Sequence, residues 1–295
     1  MGVTGKTVFD AKAVTARLLE HIQPVRVGYL RMTMTAGRYP GSGGWTIRGD
    51  LSRLLTAPEA GVPYVIGGDT AGDGSDSFVA QVLDNRTGEQ AAVLRHQTDE
   101  DLYSMQVYCL GMWYNTALVG VEANWSTYPI LTLERLGYPN QYVREVVDDY
   151  THGIKRAFGF WTSTKTRPVI LSELIRAVRE DITIVSDETT LQEMLTFVRG
   201  EDYKPRAEEG AHDDCVMALA IAHHIRPQQR YTVEAGRKAG GAVWDDSMWE
   251  DYNNAGPEER EYLIKKWGSP NRMKKKRQRP AAAVAGQARA GQRGV

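Results

Sequence analysis

The chain has 295 residues, of which 42% are hydrophobic and 25% charged, the proportions of a soluble globular protein with a genuine core. No run reaches the ~20 apolar residues that a bilayer-spanning helix needs, and the N-terminus has no signal-peptide layout, so a membrane partner is excluded and the cytoplasm is the expected location. The net charge of −1 conceals a split: eight Lys/Arg and no acid stand from Arg272 onward, which leaves 28 basic against 37 acidic residues before them. An acidic body argues against a protein that coats duplex along a basic face, and suits one that gathers carboxylates for metal and touches phosphate locally. Cys109 and Cys215, the two cysteines, both fall in apolar helical patterns and read as core residues of a reducing compartment.

In chain order, Val8 to Ile22 carries a helical apolar pattern, and the Gly-rich stretch Gly37 to Gly49 reads as loop. Gly5-Lys6-Thr7 matches only the end of a phosphate-binding loop and lacks the preceding strand that would aim it. Tyr64 to Asp69 is a β-branched run ending in an acid; Phe78 to Leu83 is a second strand, Asp84 to Gly88 a hairpin turn, and Ala91 to Arg95 a third strand. Asp99 to Tyr114 reads as a helix with Leu102, Met105, Cys109 and Met112 on one face. Ala117 to Glu122 is an apolar strand, expected to be covered on both faces, that ends in an acid.

Further on, Thr127 to Leu136 reads as helix and Tyr142 to Val147 as extended chain. Pro168 opens a helix through Glu180, Ile182 to Val185 is a short strand, and Asp187 to Val198 and Asp213 to Ile225 are helices. Pro257 to Trp267 reads as one amphipathic helix, and residues 271–295 as a basic disordered tail. Antiparallel strands followed by helix and strand in alternation predict a mixed central α/β sheet with helices on both faces.

Asp69 and Glu122 end two strands, and Asp213-Asp214 begins a helix that is apolar nearly all round and so must be buried against the sheet. If these ends converge, their carboxylates cannot all remain ionised in a low-dielectric site without compensation. Divalent cations provide it, and oxygen-only ligation suits Mg²⁺ or Mn²⁺; two ions ~3.5–4 Å apart can activate water and stabilise the leaving oxygen of a phosphodiester. Taken singly, Asp69 is also a turn former and Asp213 also a helix N-cap, whereas Glu122 on a central apolar strand demands a partner. Asp73, Asp76 and His212 read as ordinary loop residues, and His223-His224 has no matching ligand for zinc. Lys165 and Arg167, in a polar loop before a helix, are possible phosphate contacts.

The runs Gly67 to Asp76, Gly120 to Asn124, Thr164 to Pro168 and Ala211 to Ala220, in that order and spacing, resemble the C-terminal nuclease domain of tailed-phage terminase large subunits over roughly residues 60–226. The resemblance implies an RNase H-like fold of the resolvase and integrase kind, and two-metal cleavage of concatemeric viral double-stranded DNA during packaging. It implies Asp69, Glu122 and Asp213 as catalytic metal ligands, Asp214 beside them, and portal protein, small terminase subunit and a packaging ATPase as partners. The ATPase belongs to another chain or to a longer one, because no complete phosphate-binding loop is present here. The expected organisation is a linker-like segment 1–60, a nuclease domain 61–226, an extension 227–270 with one helix, and the tail 271–295. The competing expectations are a resolvase or another nuclease of the same superfold, and a non-catalytic portal-docking module.

Overall fold

The computed structural model describes residues 7–32, 45–70, 77–97, 99–147 and 153–229, with Asn254, Gly256 and Arg260 beyond them. Asp73, Asp76, the basic tail and most of the Pro257–Trp267 segment lie outside the described residues. The elements are α1 (Ala11–Leu18), β1 (Arg26–Met32), β2 (Trp45–Leu54), β3 (Tyr64–Asp69), β4 (Phe78–Asp84), β5 (Gln90–His96), α2 (Glu100–Trp113), β6 (Leu118–Val121) and α3 (Tyr128–Arg135). They continue with β7 (Val143–Val147), β8 (Ile154–Phe158), α4 (Thr166–Glu180), α5 (Glu188–Thr196), β9 (Phe197–Arg199), β10 (Pro205–Ala207) and α6 (Asp214–Ile225).

A six-stranded sheet in the order β1-β2-β5-β4-β3-β6 forms the centre. Neighbours are antiparallel except β3 and β6, which run parallel. Because side chains alternate along a strand, the sheet has two buried faces with separate cores. Val65, Leu83 and Leu118 join Ile170, Leu174, Leu191, Met194 and Leu219 from α4, α5 and α6. Ile66, Val82 and Val119 join Tyr103, Val107 and Leu110 of α2 and Ile130 and Leu133 of α3. Helices therefore cover both faces of a mixed sheet, as the alternation of patterns predicts.

Three local expectations are corrected, and one strand appears where none was expected. Within the segment 1–60, β1 and β2 are strands of the central sheet, and β2 begins at Trp45, inside the stretch read as loop. The mixture of Arg, Asp and Gly in Trp45–Leu54 hides its period, and pairing with β1 and β5 makes it a strand. Ile182–Ile184 is a 3₁₀ turn rather than a strand. There the Asp181 carboxylate accepts from the Thr183 N–H and hydroxyl, and Arg17 donates to the Thr183 and Val185 carbonyls, all within 2.9 Å. These local bonds take the groups a ladder would use.

In α2 the buried face is Tyr103, Val107 and Leu110 with Gln106, while Leu102 and Met105 are 40% and 38% exposed. Tyr103 donates its hydroxyl proton to the Val79 carbonyl at 2.8 Å. The Gln106 amide bonds both the N–H and carbonyl of Leu30 at 2.9 Å, so residues of polar appearance hold the helix to the sheet. Last, Ile154–Phe158 is a strand that pairs antiparallel with β7 across all five of its residues, outside the central sheet.

On the other face, α6 lies directly on β3 at Gly67. A Cβ there would stand 2.2 Å from the Ala222 nitrogen and 2.3 Å from the Ala218 oxygen, both backbone atoms. No rotamer change relieves such an overlap. Gly67→Ala is expected to destabilise the fold by at least about 2 kcal/mol, read as a lower urea midpoint at unchanged slope.

Candidate active site

The register of β3 on β6 sets the first two acids side by side. Gly67 lies opposite Gly120 and Gly68 opposite Val121, so the next step brings Asp69 beside Glu122, whose N–H donates to the Gly68 carbonyl at 2.9 Å. Alternation then fixes their direction. Val65 and Leu118 pack into the α6-side core, and two residues on, Gly67 and Gly120 abut Ala222 and Ile225 of α6. Asp69 and Glu122, a further two residues on, emerge on that same face. From Gly67 to Asp69 the strand advances about 6.6 Å, and from Ala218 back to Asp214 the helix retreats about 6 Å. The helix start and the strand ends thus reach one level.

The electrostatics bear the signature of this meeting. The Asp69 carboxyl is held well above its ordinary 3.8, first by burial, then by the charge of Glu122 and a side-chain hydrogen bond with it, and then by Asp214 and Asp213. Glu122 is 7% and Asp214 8% exposed. Asp213 occupies the position before α6 without capping it, which removes the plainer reading of this residue. Its Oδ2 instead accepts from Arg167 Nη2 at 2.7 Å, while Arg167 Nη1 reaches Met217 Sδ at 3.0 Å. Asp214 Oδ2 accepts from the Ser77 N–H at 2.9 Å.

The cap of α6 comes from elsewhere. Glu193, on α5, accepts from the N–H groups of Cys215 and Val216 at 2.8 and 3.2 Å. Burial pushes this glutamate up to about 7. Sequence reading passed it over, although a glutamate between Leu191 and Met194 on a buried helix face is a signal. The Ser77 backbone contact has no sequence signal at all.

The expected site residues therefore divide. Asp69 and Glu122 touch, and Asp213 and Asp214 act on Asp69 from beside them. Arg167 spends its guanidinium on Asp213, and Lys165 is exposed at the start of α4. His224 pairs with Glu173 at 2.8 Å, away from the acids. The four acids are all oxygen donors, and their repulsion is the kind that divalent cations relieve, so their chemistry fits Mg²⁺ or Mn²⁺. Among the described residues, no three such side chains are drawn into a single ion-sized cluster, because Asp213 and Asp214 are turned to Arg167 and Ser77.

No protein-family model matches the chain. Among solved structures, the large terminase nuclease from thermophilic phage G20c with bound cobalt is similar over 75% of this chain and 98% of its own, at 20% identity and a TM-score of 0.50. A second structure of the G20c nuclease aligns with 74% of this chain and 98% of its own, at 21% identity and a TM-score of 0.48. The Thermus phage P74-26 large terminase nuclease domain aligns with 71% and 93%, at 21% identity and 0.43. The chain is an α/β protein of RNase H-like fold, with an acid cluster where two adjacent parallel strands end, the inner β3 and β6, which lies at the edge of the sheet rather than at its centre. The particular variant of that fold which it resembles is the phage large terminase nuclease.

Two pH-dependent outcomes follow. With its carboxyl raised, folded Asp69 keeps a proton that the unfolded chain has released, so stability falls as pH rises from 3.8 through the raised value. In chelator, Asp69→Asn is therefore expected to melt above wild type, by a margin that widens with pH. Glu193 makes the same contribution between its ordinary 4.5 and about 7. Glu193→Gln keeps an acceptor for α6, and is expected to flatten the decline in melting temperature across that interval.

Proposed function

We propose that this chain is a divalent-metal-dependent DNA endonuclease that cuts concatemeric viral double-stranded DNA during genome packaging. The observation that carries the reading is the contact between Asp69 and Glu122 at a point where Asp213 and Asp214 also raise the Asp69 carboxyl. Crowded acids at the ends of adjacent strands cost stability, and function is a common reason for such a cost. The G20c protein of like fold is a large terminase nuclease with bound cobalt, and the proposal extends that role to this chain.

Asp69, Glu122 and Asp213, with Asp214 beside them, would hold Mg²⁺ or Mn²⁺, two ions by the count of carboxylates. Such ions supply Lewis-acid stabilisation of phosphodiester charge and lower the pKa of water. The protein's own contribution is to fix four acids on rigid elements. Arg167 neutralises Asp213 while no cation does, and Lys165 offers an exposed charge to a DNA phosphate. The partners that go with this role are duplex DNA, a portal protein, a small terminase subunit and an ATPase motor, and its setting is the cytoplasm of an infected cell.

Plasmid DNA incubated with the protein and Mn²⁺ or Mg²⁺ is expected to be nicked and linearised, and chelator to stop the reaction. Asp69→Asn, Glu122→Gln and Asp213→Asn should each lower the rate by at least about 100-fold, the scale of several kcal/mol of lost charge stabilisation. Full cutting by all three variants would remove the mechanism. Faster cutting of a four-way junction or an RNA–DNA hybrid than of duplex would reassign the biology within the same chemistry.

A further inference from the structure

Beside the acids lies a cleft of about 570 Å³ lined by Tyr142, Arg144, Val146, Phe160, Trp161 and Thr166 among others, a volume within the about 300–1,000 Å³ of small-ligand sites. It adjoins the acid cluster on two sides. Phe160 is bridged to Glu122, and its carbonyl accepts from Ala123 N–H at 2.8 Å. Thr166 precedes Arg167, the partner of Asp213.

One indole in solvent, Trp161, lines this cleft, and a second, Trp125, follows Asn124 on a loop tied to the one after Trp161. Trp161 is 48% and Trp125 67% exposed, an unfavourable placement for large apolar rings unless something covers them. The Trp161 ring and the two loops are also held in place. The Arg144 guanidinium sits 5.6 Å from the centre of the Trp161 ring and donates to the Phe158 and Gly159 carbonyls at 3.2 and 2.9 Å. The Asn124 side chain bonds Thr162 in both directions, accepting from its N–H at 2.8 Å and donating to its carbonyl at 2.6 Å. That reciprocal pair locks the loop before Trp125 to the loop after Trp161.

The lining holds Arg144 and one carboxylate, Glu145, and Lys165 stands next to Thr166 in sequence; planar apolar faces with this excess of cations match a ligand that is aromatic and anionic at once. A paired duplex offers phosphates and base edges there, but a ring face only where a base has left the stack. We infer that the cleft receives an unpaired nucleotide of the DNA, stacked on Trp161 with Trp125 on the adjoining loop taking a neighbouring base, so that the favoured substrate is a duplex opened next to the cut. The inference rests on the endonuclease reading above and narrows its substrate. Stacking on an aromatic side chain is tolerant of base identity, so the cleft selects for openness and not for sequence.

The test compares a short labelled single strand, its duplex, and that duplex with a central mismatched bubble. Binding to the whole chain is measured by fluorescence anisotropy in chelator, and cutting in Mn²⁺. Wild type is expected to favour bubble over duplex in both assays. Trp161→Ala and Trp125→Ala should each lower the bubble-to-duplex ratio about 10-fold, the scale of one lost stacking contact, and Trp161→Phe should keep most of it. Both rings are exposed, so unchanged melting temperatures would verify folding. An unchanged ratio in the alanine variants overturns the inference, as does an equal loss on duplex and bubble, which would mark a general contact or a surface for another protein. If wild type cuts nothing while the alanine variants lose bubble binding, the endonuclease reading fails and the cleft stands. If cutting requires Asp69 while Trp161→Ala behaves as wild type, the cleft fails and the endonuclease reading stands.

Discussion

A residue without a side chain decides where everything else sits. At Gly67 the backbone of α6 rests on the backbone of β3 with no room for a methyl group, and this contact sets both the depth and the axial position of the helix. Since Asp213 and Asp214 are fixed to the start of α6, their level relative to Asp69 and Glu122 follows from it. The strand register fixes the remaining coordinate, because a slip of one residue would turn both strand-end acids to the other face of the sheet.

The position is costly, and the surrounding structure offsets the cost piece by piece. Asp213 takes a guanidinium, Asp214 a backbone N–H, and the first turn of α6 a glutamate from the neighbouring helix. Asp69 and Glu122 are left to share what hydrogen bonding they can. A network in which Asp213 finds a cation and Asp214 a hydrogen-bond donor, while Asp69 and Glu122 face each other, is stable enough to fold and still strained at the pair. The strain is confined to the place where a cation would relieve it.

Much of this was legible in the residues. β3, β4, β5 and β6 carry largely apolar runs bounded by turn residues, and two of them, the parallel neighbours β3 and β6, lead to the acids that meet. The long apolar composition of α6 required burial, which in turn required its acidic start to lie against the sheet. What escaped reading depends on partners distant in sequence. β2 is a strand because β1 and β5 flank it, and the face of α2 is decided by Tyr103 and Gln106 reaching backbone groups of Val79 and Leu30. A window of local sequence counts such side chains as polar and assigns them outward. Likewise Arg167 was legible as a cation of the site, but its commitment to Asp213 belongs to the fold and not to its own neighbourhood.

The seam between β2 and β5 is short. Only Ser52, Arg53 and Leu54 pair with Leu94, Val93 and Ala92, whereas β3 and β4 pair along six positions. The ribbon of β1 and β2 is tied to the rest by this seam, by the Leu55 and Thr56 N–H groups on the Ala91 carbonyl, by Arg53 on Asp187 and by the two bonds from Gln106 to Leu30. With three paired positions against six, the ribbon is the part of the sheet that opens at least cost in ladder bonds, while the ladder bearing Asp69 keeps its full length.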